Sequence, residues 1–128
     1  MEWKVLFHEA FEPEFDEFPE EVQDELLAYA KLLEYYGPHL RRPHADTLKG
    51  SRHDNMKELR FKAANGVWRV AFAFDPERQA ILLVAGNKAL TSEKRFYKQL
   101  IAKADERFDE HLSQLKEKGE FGDGEKAQ

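Results

Sequence analysis

The sequence predicts an α+β domain in which an N-terminal strand and helix precede an antiparallel three-stranded meander and a C-terminal helix packed on the sheet. Three observations predict it. Residues 56–64, 67–75 and 79–88 are strand-like runs separated by turn signals. Residues 19–36 and 92–118 carry apolar side chains at helical spacing. The chain has 128 residues, enough for one core, and contains no internal repeat.

Each element has a local reason. Trp3–His8 is short, aromatic and β-branched, as strands are. Pro13 and Pro19 then break the chain. A helix starts at Pro19, because proline suits the first helical position and Glu20, Glu21 and Asp24 favour its positive end. Val22, Leu26, Tyr29, Ala30 and Leu33 form its buried stripe, and Gly37-Pro38 ends it. Residues 38–55 are rich in Pro, His, Arg and turn formers and make an irregular connector, long enough to suggest a functional loop. Asn65-Gly66 is a hairpin signal between the first two strands of the meander, and Asp75-Pro76-Glu77-Arg78 is a second turn. Gln79–Lys88 is almost continuously apolar, like a strand covered on both faces. Thr91 or Ser92 caps the last helix, whose buried face is Phe96, Leu100, Ile101, Ala104, Phe108, Leu112 and Leu115. The domain is expected over residues 1–118, with 119–128, Gly-rich and charged, as a flexible tail.

Composition narrows the function classes. Cysteine is absent, which removes disulfides and thiolate ligands and fits a reducing cytoplasm. No stretch approaches the roughly 18 apolar residues of a membrane span, and the N-terminus lacks a signal-peptide pattern, so a soluble cytoplasmic protein without membrane contact is expected. No histidine pair falls at metal-ligand spacing and no Gly-rich loop cradles phosphate, so neither a metal nor a cofactor is expected. The net charge of −5 is unevenly spread: residues 1–38 hold 2 Lys/Arg against 11 Asp/Glu, whereas 39–70 hold 8 against 3.

Strand alternation says where those cations point. Leu59 and Phe61 share one face, and Trp68, Val70, Phe72 and Phe74 must share the core face of the next strand. Arg60 and Arg69 then emerge together on the other side, beside Ala71 and Ala73, which leave that side shallow. Lys88 follows Gly86 at the end of the apolar run, where a glycine allows a close approach. Two arginines and a lysine on an open face suit a phosphodiester, since guanidinium forks match phosphate oxygens. The bland reading is a solvated sheet face with cations paired to Glu58.

The run LKGSRHDNMKELRFKAANGVWRVAFAFDPERQAILLVAGNK, followed by TSEKRFYKQLIAKA, resembles the phage-derived RelE/HigB-like toxins of type II toxin–antitoxin systems. Leu-x-Gly, Glu-Leu-Arg, Trp-Arg-Val and Gly-x-Lys recur in that order, and the resemblance covers roughly residues 3–115. It implies a RelE-like sheet with helices on one side. It also implies ribosome-dependent mRNA cleavage without metal, and a cognate helix-turn-helix antitoxin as partner besides ribosome and mRNA. Carried over by motif, the site residues are Arg60, Arg69, Lys88 and Lys57, with Tyr97, or Phe96 in a shifted alignment, as the aromatic that stacks on a base. The chain departs from the family's usual basic character.

Such cleavage uses the 2′-OH as nucleophile and needs a proton acceptor, a proton donor and cations at the transition state. Arg60 and Arg69 would supply the charge stabilisation, Lys57 or Lys88 a base if neighbouring cations lowered its pKa, and His53 an acid–base group near pH 7. Two other functions compete: a ParE-like gyrase inhibitor and a non-catalytic module that docks an acidic protein. The sequence leaves codon preference and oligomeric state open.

Overall fold

In the computed structural model the backbone is described for residues 2–127 and the side chains for residues 2–119. A five-stranded mixed sheet has the order β1-β5-β4-β3-β2, formed by β1 (Lys4–Phe7), β2 (Ala45–Thr47), β3 (Met56–Ala63), β4 (Gly66–Phe74) and β5 (Gln79–Asn87). The antiparallel meander β3-β4-β5 is present as expected, and β1 adds to it in parallel, pairing Lys4 with Gln79 through Phe7 with Leu82. Helices α1 (Phe11–Asp16) and α2 (Glu20–Tyr36) precede the meander, and α3 (Glu93–Ala127) follows it. Where a tail is expected at 119–128 the backbone of α3 runs on to Ala127, and the side chains of residues 120–128 lie outside those described.

The segment around Pro13 is helical, not broken. Pro13 sits in the first turn of α1, where its missing N–H has no intrahelical partner to lose. The connector at 38–55 contains β2, whose three residues pair with Leu59, Glu58 and Lys57. The hairpin turn also shifts by one residue. Ala64 and Asn65 carry positive φ, 49° and 60°, and Gly66 already pairs with Ala63. Gly66 is needed for another reason: a Cβ there would meet the Asn87 amide at 2.6 Å.

The layers differ from the one-sided packing that the resemblance implied. One core packs Phe11, Val22, Leu26 and Leu33 against Leu59, Phe61, Val70, Phe72 and Leu82. A second, on the opposite face, packs Phe96, Leu100, Ala104 and Phe108 of α3 on Ala71, Ala73, Ile81 and Leu83. The sheet is therefore sandwiched between α1/α2 and α3. A β-bulge where the β4–β5 register shifts, between Ala71 and Phe72, puts consecutive residues Leu83 and Val84 on the α3 face. The shift brings Gly86 opposite Arg69. The Phe96 ring lies so close to Gly86 that a Cβ there would sit 2.8 Å from it. The close approach expected at this glycine is that of α3. Arg107, 8% exposed at its side chain, crosses the sheet edge, donating to the Leu83 carbonyl at 2.8 Å and pairing with Glu14 of α1.

Candidate functional site

The parity read from the sequence holds for the arginine pair: Arg60 and Arg69 are direct cross-strand partners on the α3 face. Their surroundings differ from the open surface expected. Ala71 and Ala73 are fully buried because α3 lies on them, and Arg69 is 6% exposed. Small residues there make room for a helix. They do not mark a shallow exposed face.

What forms is a closed network at the N-terminal end of α3. Arg69 Nε donates to the Tyr97 hydroxyl at 3.2 Å, and Arg69 Nη1 to the Trp68 carbonyl at 3.0 Å. Tyr97 donates in turn to Glu58 Oε2 at 3.3 Å. Arg60 Nη1 reaches the same Oε2 at 3.4 Å and Asp46 Oδ2 at 3.5 Å. Glu58 Oε1 is buried without a hydrogen-bond partner, 3.9 Å from Arg69 Nε. Burial pushes the Glu58 carboxyl above its usual range, outweighing the Tyr97 hydrogen bond and the charges of Arg69 and Arg60. Burial also raises the Tyr97 phenol, against the hydrogen bond from Arg69. Arg60, with its side chain 26% exposed, is the arginine that meets water.

Lys88 follows β5 on a short 3-10 turn, Lys88–Leu90. Asn87 holds that turn, its Oδ1 accepting from Val67 N–H and Ala89 N–H, each at 3.0 Å. Lys88 Nζ pairs with Glu93 Oε1 at 2.9 Å. The Lys88 hydrogen bond lowers the Glu93 pKa, and the charges of Arg69 and Arg60 add to the effect. Ser92 caps α3 there, accepting from Arg95 N–H at 3.3 Å.

Two expected residues stand apart. Lys57 has the parity of Leu59 and Phe61, so it lies on the sheet face opposite the arginines. His53 bonds Asp109 Oδ1 at 2.7 Å and packs edge-on against Phe108. Asp109 is twelve positions beyond Tyr97 on α3, about 18 Å along the axis. His53 belongs to a clamp in which Asp105 takes the Arg52 N–H at 3.0 Å and also the Ser51 hydroxyl. This clamp fastens the connector to α3. Glu58 is the site member the sequence reading used only as a counter-ion. Its parity with Arg60 was the available signal.

The network keeps a carboxyl and a phenol beside two guanidiniums, of which Arg60 is open to water and so to an anion. Among the described residues no group of three or more His, Cys, Asp or Glu could hold a metal ion. No described helix is long and apolar enough to cross a membrane.

The fold defines the class first: it is RelE-like. It is similar to a mutant of the Escherichia coli toxin RelE in the free state, with TM-score 0.58 and 14% identity over 80% of this chain and 97% of that one. It is similar also to a chain of the archaeal RelE–RelB complex from Pyrococcus horikoshii OT3, with TM-score 0.51 and 19% identity over 71% and 100% of the two chains. The chain belongs to the family described as Phage derived protein Gp49-like (DUF891), whose model matches residues 13–109. It is 47% identical over 98 residues to a Mycobacterium tuberculosis protein bearing the toxin name HigB2, covering 76% of this chain and 48% of that protein. With a second, bearing the name HigB3, it shares 49% over 82 residues, 64% of this chain and 69% of the relative. The chain thus spans about half the length of the first of these relatives and about two thirds of the second. The matched family segment contains Arg60, Arg69, Lys88 and Tyr97.

Proposed function

We propose that this chain is the toxin of a type II toxin–antitoxin pair, that it cuts mRNA on the ribosome without metal, and that a helix-turn-helix antitoxin restrains it in the cytoplasm. One observation carries the reading: a carboxyl, a phenol and two guanidiniums share one network at the rim of the sheet, with Arg60 in water and Lys88 just after β5, the strand paired with that of Arg69. Its support also includes relatives that bear toxin names.

In this reading Arg60 and Lys88 take the non-bridging oxygens of the scissile phosphate, and Arg69 stabilises the charge that grows in the transition state. Removing one such donor typically costs about 3–4 kcal/mol of barrier. Glu58 accepts the proton of the 2′-OH. Its raised pKa suits a base working near neutral pH better than an ordinary carboxylate would. As the 2′-oxygen bonds to phosphorus the P–O5′ bond breaks, and the leaving 5′-oxygen takes a proton from water, while Tyr97 serves as hydrogen-bond donor and stacking ring. This requires Tyr97 to swing off Glu58 when RNA arrives, because both Glu58 and Arg69 are covered in the free protein.

That coverage favours a second reading, in which the network is structural and the chain docks an acidic protein without catalysis. Induction in a bacterial host, with growth and transcript 5′ ends followed together, separates the two. The nuclease reading expects new ends within coding sequences for wild type and none for Arg60→Ala. Growth arrest without new ends supports docking, and a DNA-damage response supports gyrase inhibition.

A further inference from the structure

A second cationic corner lies one strand away from Arg60. The end of α2 and the connector enclose a groove of about 240 Å³ whose walls include Tyr36, His39, Arg41, Arg42 and His44. Residues 39–44 hold two arginines and two histidines and no acid. Arg41 makes no side-chain hydrogen bond or ion pair among the described residues, and Arg42 remains 70% exposed while paired to Asp46. Tyr35 and Tyr36 are 70% and 47% exposed and meet edge to face at 4.8 Å. His44 is held from behind by Tyr29, which also packs on Phe61.

The corner is continuous with the site. Asp46 Oδ2 takes Arg42 Nε at 2.8 Å and Arg60 Nη1 at 3.5 Å, so one carboxylate oxygen bridges the two guanidiniums. Its hydrogen bonds from Arg42 and the Thr47 N–H hold Asp46 below the usual carboxylate range, so it stays charged. Asp46 sits on β2, the edge strand paired with the strand that carries Arg60. Exposed aromatic rings beside exposed guanidiniums are what an unpaired nucleic-acid strand uses, with bases on rings and phosphates on arginines. A helical peptide would need an exposed apolar stripe, and of the two leucines that line this groove Leu40 is 5% exposed and Leu32 packs against the core.

We propose that this corner binds single-stranded RNA flanking the scissile phosphate, with Tyr36 and Tyr35 stacking on bases and Arg41 and Arg42 taking phosphates. That the bound RNA flanks a scissile phosphate rests on the nuclease reading; the RNA binding does not. The test is fluorescence anisotropy of a labelled twelve-nucleotide oligouridylate against the full chain, across a salt series. The double variant Arg41→Ala/Arg42→Ala lowers affinity at least tenfold and reduces the slope of log K against log salt by about 1.4. Tyr36→Ala weakens binding roughly 5- to 100-fold and leaves the slope unchanged. Wild-type affinity in both variants overturns the proposal. Loss of poly-glutamate binding with RNA binding intact overturns it too, and assigns the corner to an acidic protein segment. RNA binding lost in these variants while wild type cuts no transcript supports the corner and sinks the nuclease reading alone. Cutting by wild type with unaltered binding in both variants does the reverse.

Discussion

Glu58→Gln should make the protein more stable and less active. Its carboxylate is 5% exposed, and Oε1 has lost water without gaining a hydrogen bond. An unsatisfied buried polar atom costs about 1–3 kcal/mol, more when charged. Against this stand Arg69 at 3.9 Å, Arg60 at 3.4 Å and Tyr97 at 3.3 Å, all long contacts. Burial outweighs them, since the folded carboxyl titrates above its reference of 4.5. Glu58 therefore supports the fold fully below pH 4.5, and that support is lost as pH rises through the higher folded value. A glutamine mimics the protonated form. It should gain about 1–3 kcal/mol at pH 7, roughly 4–12 °C in Tm at this chain length, and nothing at pH 4. Cleavage of translated mRNA should fall about 10²- to 10⁴-fold, the usual worth of a general base. Paired melts at the two pH values and a cleavage time course are the assay. A lower Tm at pH 7 would show that the ion pairs outweigh burial, and unchanged cleavage would remove Glu58 from the chemistry.

Other expectations follow from the same geometry. Gly86→Val places a Cβ 2.8 Å from the Phe96 ring and should cost about 1–3 kcal/mol of overpacking, read as a lowered Tm. At Asp75, burial pushes the carboxyl up, but hydrogen bonds from His111, Gln79 and the Glu77 N–H prevail and hold it below 3.8. Asp75→Asn should thus cost about 1.5–3 kcal/mol at pH 7, a deficit that shrinks as pH falls below 3.8, seen in denaturant melts across pH. Lys57→Ala and His53→Ala should leave cleavage rates within a few-fold of wild type, because one lies on the far face and the other about 18 Å along α3. A hundredfold loss in either would return that residue to the site.

The legible part of the fold is the part set by period. Alternation placed Leu59, Phe61, Val70 and Phe72 in one core and paired Arg60 with Arg69 on the other face. The stripe from Phe96 to Phe108 identified the buried side of α3. Alternation does not say what covers a face, and so Ala71, Ala73 and Gly86 read as an open surface when they are the seat of that stripe. The clue lay in complementarity, small residues on the strands against large ones on the helix. Pro13 hid α1 because a first-turn proline looks locally the same as a break. The three residues of β2 carry too little pattern to announce a strand, yet they place Asp46 beside Glu58. The local sequence around His53 does not announce its partner. Its true neighbour, Asp109, is 56 residues away in sequence.

The most direct measurement is the chemistry of the ends left on an mRNA translated in a purified ribosome system. If Arg60, Arg69, Glu58 and Tyr97 form a metal-free cleavage site, wild type leaves 2′,3′-cyclic phosphates and 5′-hydroxyls within the reading frame. Folded Arg60→Ala and Glu58→Gln proteins should leave the message intact. A message that stays whole with wild-type protein while translation still stops would contradict the account, and so would cuts that persist in both variants.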